Sequence, residues 1–128
     1  MSIREIPPGE WQVFLEEFSR QHRAWLTSVD RLGPGTDRHT EVLDRPLGWV
    51  TTDKVDRGIV GIQISFQQDS PASDAVHVDA PTRLRVEETP EGLTRALVIE
   101  DEHGERTRVR LRVPAPPGLL DGVAPGEL

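Results

Sequence analysis

Bulky apolar residues between Glu10 and Trp25 fall at Trp11, Phe14, Leu15, Phe18 and Trp25. That spacing traces one face of a helix, with Gln12, Glu16, Ser19, Arg20 and Arg23 on the polar remainder. Beyond Trp25 the period shortens to two. Residues 26–32, 40–43 and 48–52 read as short strands, the last two separated by Arg45-Pro46. Val60, Ile62, Ile64 and Phe66 alternate with smaller or polar residues, as a half-buried strand requires. Asp56-Arg57-Gly58 precedes it as a loop with glycine at the position needing positive φ. Residues 68–81 read as a polar loop and a short edge piece. Residues 83–88, 93–101 and 105–113 then form a three-strand meander. The expected class is α+β: an N-terminal amphipathic helix on a curved, mainly antiparallel sheet of about six to seven strands. Residues 1–113 form one domain in this reading, and 114–128 a Pro/Gly-rich tail.

Turn lengths in the meander fix which side chains share a face. A three-residue loop at Glu102-His103-Gly104 pairs Leu97 with Val109 and Ile99 with Thr107. A four-residue loop at 89–92 pairs Leu84 with Leu97. Leu84, Val86, Leu97, Ile99, Val109 and Leu111 then point to the core, where the aromatic stripe of the helix covers them. The opposite face carries Arg83, Arg85, Arg108 and Arg110 around Ala96 and Val98, with Arg106 and Arg112 extending the column.

Composition narrows the function classes. The chain has 128 residues, no cysteine and a formal charge of −7. Disulfides and thiolate metal sites are excluded, and the negative balance works against general polyanion binding. No apolar run is long enough for a membrane span, and the N-terminus lacks a signal peptide, so a cytoplasmic location is expected. Of the 15 basic residues, Lys54 is the one lysine. Such an arginine bias accompanies GC-rich genomes, so no arginine is functional by identity alone.

The arginine-lined face is the main candidate site. Arg83, Arg85, Arg108 and Arg110 suit bidentate recognition of a carboxylate, a phosphate or an acidic protein segment. Nucleic acid is disfavoured, because no aromatic residue is there to stack on bases. His22 and Trp25 mark a weaker candidate pocket between helix and sheet. Asp74, His77 and Asp79 cluster but lack a third and fourth metal ligand at a recognisable spacing. No nucleophile elbow or phosphate loop occurs, and no cofactor is implied. Leu119, Leu120 and Val123 in the acidic tail read as a docking peptide or as a cover for the sheet.

Glu10-Trp11, Phe14-Leu15, Phe18-Ser19-Arg20-Gln21-His22 and Trp25-Leu26 resemble a bacterial family of small single-domain proteins of unknown function. Residues 81–88 are similar to a second stretch of it. The resemblance spans residues 3–113 and implies a bacterial, cytoplasmic protein with no assigned activity or site residue.

The expectation is a non-enzymatic binding or adaptor module that engages a protein or small anionic ligand through the arginine-lined face. The alternatives are a small-molecule binder or enzyme with a pocket at His22 and Trp25, and a structural homodimer joined through an edge strand.

Overall fold

The computed structural model describes residues 2–33, 35, 38–56, 58–67 and 75–114. The chain is α+β and mostly sheet. Among the described residues there are eight antiparallel strands and one short helix, α1 (Trp11–Gln21), entered through a 3-10 turn at Pro8–Glu10. The strands are β1 (Ser2–Ile6), β2 (Trp25–Leu32), β3 (Arg38–Val55), β4 (Gly58–Phe66), β5 (Val76–Asp79), β6 (Pro81–Glu88), β7 (Thr94–Asp101) and β8 (Arg106–Pro114). Their order is β1-β6-β7-β8-β2-β3-β4-β5. Among the described residues no helix is long and apolar enough to cross a membrane.

Two elements differ from the periodicity. The helix ends at Gln21, and Trp25 opens β2 instead of closing the helical stripe. Ala24, with φ 74°, turns the chain between them, and its amide donates to the Leu47 carbonyl. The two short strands at 40–43 and 48–52 are parts of one strand. β3 pairs with β2 up to Pro46 and with β4 from Leu47 onward. Pro46 does not break it, because the strand changes partner there and no ladder donor is lost. Asp44, with φ 51°, and the bulge between Leu47 and Trp49 bend it. The turn into β4 is also tighter than expected: Val55 pairs with Gly58, and the left-handed residue is Asp56 at φ 54°.

The bend in β3 curls the sheet, bringing β4 and β5 over β6 and β7. Ala80, with φ 51°, makes the corner between β5 and β6. Its amide donates to Val60 O at 3.0 Å, and its carbonyl accepts from Glu102 N at 3.1 Å. One core fills the curl. Val29, Leu84, Val86, Leu97, Ile99 and Val109 face Leu47, Val50, Ile62, Ile64, Val76 and Val78, all of them buried.

The helix does not lie on the last three strands, as the aromatic stripe suggested. It packs chiefly on β3, where β2 has left the strand's second half unpaired. Ser19 there accepts from the Val50 amide at 2.9 Å and is buried completely. The helix thus seals a strand edge that would otherwise be open. Trp11 Nε1 donates to Ile6 O at 2.8 Å, tying the helix to β1.

Candidate functional site

The face opposite the core is built by β6, β7, β8 and β2. The β7–β8 register follows the turn arithmetic: Leu97 pairs with Val109, Ile99 with Thr107 and Val98 with Arg108. The β6–β7 register is displaced by two residues, so Leu84 pairs with Ile99 and Val86 with Leu97. One residue of the displacement comes from the turn, where Thr89 and Leu93 bond to each other. The other comes from an irregularity between Glu87 and Glu88, opposite Thr94 and Ala96. Two single shifts restore the parity, so the faces are those expected while the rows change.

Arg83, Arg85, Arg108 and Arg110 therefore do share a face, but carboxylates are interleaved with them. Arg110 clamps Asp30 through Nε and Nη2 at 2.6 and 3.1 Å. Thr40 Oγ1 donates to the same carboxylate at 2.8 Å. Asp30 is 0% exposed. Burial acts to raise its pKa; the hydrogen bonds from Arg110 and Thr40 and the charges of Arg110 and Arg38 outweigh it and hold the group below the usual carboxylate range. Arg108 forks onto Glu87 at 3.0 and 2.8 Å. That hydrogen bonding lowers Glu87 against the effect of its burial, and raises Arg108 in return. Arg85 donates to Glu100 at 3.0 Å through Nη2, while its Nε is buried without a partner.

Position in the sheet separates two kinds of arginine. The side chains of Arg85, Arg108 and Arg110 are 27, 28 and 29% exposed and held in these short pairs. Arg83 and Arg38 are 51 and 58% exposed, with single contacts to Glu5 at 3.3 Å and Asp30 at 3.4 Å. Arg106 is exposed and forms no ion pair among the described residues. These three lie in one row across the strands, Arg83–Glu100–Arg106–Leu32–Arg38, each residue the register partner of the next. Arg112, on the same column, pairs with Asp44. Arg38 escaped the sequence reading, which recognises the Gly33-Pro34-Gly35 turn but assigns no register across it and begins the next strand at Thr40, whereas β3 opens at Arg38 paired with Leu32.

The second candidate is arranged differently from an open pocket. His22 is buried, its Nδ1 lies 2.8 Å from Phe18 O, and its ring packs between Phe18 and the edge of Trp25 at 4.6 and 4.9 Å. Burial lowers the His22 pKa, the Phe18 carbonyl opposing it only partly. His22 and Trp25 are thus brought together, as a packed aromatic group.

A cleft of about 450 Å³ opens instead at the far end of the curled sheet. It gathers His39 from β3, His77 and Asp79 from β5, and Glu102 and His103 from the β7–β8 turn. Long-range topology thus sets other histidines and carboxylates beside His77 and Asp79, which local spacing could not reveal. Arg31 floors the cleft, bonding Glu41, Glu105, Thr107 and the carbonyl of His77. Among the described residues no three histidines or carboxylates converge to hold a metal ion. Asp74 and the tail residues Leu119, Leu120 and Val123 lie outside the described residues.

The chain was compared with models of protein families, with curated proteins and with solved structures, and it matches none of them.

Proposed function

We propose that this protein is a non-enzymatic binding module whose arginine-lined sheet face takes an anionic segment of a partner. One observation carries the reading. Among the described residues, seven guanidiniums, those of Arg38, Arg83, Arg85, Arg106, Arg108, Arg110 and Arg112, face five carboxylates. The carboxylates are Glu5, Asp30, Asp44, Glu87 and Glu100, so the face keeps a positive surplus on a chain whose net charge is −7. A local field of sign opposite to the whole molecule steers and orients an acidic partner while discouraging long polyanions, which the rest of the surface repels.

Within the face the roles divide. Arg108 and Arg110 are structural, each bound bidentately to a buried carboxylate, whereas Arg83 and Arg106 offer their donors outward. The expected setting is the bacterial cytoplasm, and the family resemblance adds no residue role.

The test is fluorescence anisotropy with a labelled oligoglutamate peptide and the full chain. Binding should weaken with added salt, and replacing Arg83→Gln and Arg106→Gln together should weaken it about tenfold. If the peptide does not bind, or binds the double variant equally well, the reading fails.

A further inference from the structure

Three exposed arginines in one row impose a spacing on whatever they bind. Arg83 and Arg106 are two strands apart, and so are Arg106 and Arg38, with Glu100 and Leu32 in the intervening positions. Adjacent strands are ~4.8 Å apart, so successive arginines of the row stand about 10 Å apart across the sheet, and its two ends about 19 Å. They lie on the outside of a curled sheet, which fans their side chains further apart.

We infer that the row Arg83–Arg106–Arg38 docks an acidic amphipathic helix of a partner protein, with one carboxylate per heptad facing each arginine. The inference rests on the reading above that this face takes an anionic partner. Seven residues of helix rise about 10.5 Å, which matches the arginine spacing and returns the side chains to nearly the same helix face. Leu32, half-buried between Arg106 and Arg38, meets an apolar residue of the same helix face. Glu100, between Arg83 and Arg106, does not compete for them, because Arg85 holds it at 3.0 Å. The arginines of the neighbouring row, Arg85 and Arg108, are bound to Glu100 and Glu87 and set no register for the partner.

Charge complementarity chooses this occupant over a second copy of the chain. The molecule's own helix, Trp11–Gln21, carries Glu16 and Glu17; Glu10, one heptad before Glu17, lies in the 3-10 turn, and the next heptad position is Ala24, beyond the helix end, so this helix cannot set three carboxylates against the row.

The experiment compares two alanine-rich helical peptides of equal length and charge, one with glutamate at every seventh position and one with glutamate at every fifth. Each is titrated into the full chain at low salt, with backbone resonances of the protein as the readout. The heptad peptide should bind about tenfold more tightly, shifting residues 83, 106 and 38 together. Arg38→Gln should weaken the heptad peptide and leave the other unchanged, while the amide spectrum reports that the fold is intact. Equal binding of the two peptides overturns the helix and its spacing but leaves the anionic-partner reading standing. Failure of both peptides, and of oligoglutamate, overturns both. Shifts confined to another face overturn the docking row.

Discussion

At the scale of residues, arginines that look alike in sequence differ sharply in what their removal should do. Arg110→Met leaves the fully buried carboxylate of Asp30 with only Thr40 and a 3.4 Å contact to Arg38. Breaking a buried pair from one side costs about 3–5 kcal/mol, so this variant should unfold at much lower denaturant than the parent. Adding Asp30→Leu to Arg110→Met should recover much of the loss, because the stranded charge is gone. Arg106→Met touches no ion pair and should change stability by less than ~0.5 kcal/mol. Urea unfolding of the three variants decides. If Arg110→Met and Arg106→Met unfold alike, the division of the face into structural and outward arginines is wrong. The sequence could show that Arg110 and Arg108 share a face, since alternation and one turn length suffice. It could not show that Asp30 lies between Arg110 and Thr40, since those partners come from strands 80 and 10 residues away.

At the scale of elements, the helix is an edge cover as much as a core layer. Ser19→Ala keeps the helix propensity and removes the acceptor of the Val50 amide, leaving a buried N–H unsatisfied. A loss of about 1–3 kcal/mol is expected, with faster amide exchange at Val50 and its neighbours in β3. Unchanged exchange at Val50 would show that the hydroxyl does not seal the strand. Gly48→Ala tests the bend in the same strand: an added Cβ would stand 3.0 Å from the Phe66 carbonyl carbon and 3.1 Å from Ser65 O, both backbone atoms with little room to yield. It should destabilise by about 1–3 kcal/mol, read as a shift of the thermal midpoint. Strands with strong alternation were legible, β4 and the meander above all. β1 was not, because Ser2–Ile6 has exposed residues at every position but the last and sits at the sheet edge. The helix end was misread because Trp25 continues the helical spacing by coincidence, and the left-handed turn at Ala24 leaves no glycine to announce it.

At the scale of the whole molecule, three perturbed groups make acid stability a two-stage property. Burial holds the folded-state pKa of His22 below its ordinary value near 6.5. Above that value both folded and unfolded chains carry a neutral imidazole, and its contribution is fully present. As pH falls below about 6.5 the unfolded chain takes up a proton first, so stability declines until the folded state also protonates. Asp30 and Glu87 are also depressed in the fold, by their arginine partners against the effect of burial. Their contribution is present above the unfolded carboxylate range near ~4 and is lost as pH falls through it toward the folded values. Urea midpoints measured from neutral to strongly acid pH should therefore decline gently through the imidazole range and steeply through the carboxylate range. His22→Gln retains a polar group beside the Phe18 carbonyl and should flatten only the first decline, whatever it does to stability at neutral pH. Arg108→Gln should weaken only the second, since Glu87 loses the partner that lowers it. An acid profile of His22→Gln parallel to the parent's between the two ranges would mean that the packed imidazole does not govern the first stage. The same series separates fold from function, because none of these groups belongs to the outward row of Arg83, Arg106 and Arg38. His22→Gln, remote from the arginine-lined face, should therefore bind an acidic partner as the parent does at neutral pH, provided the curled sheet that sets the row is intact.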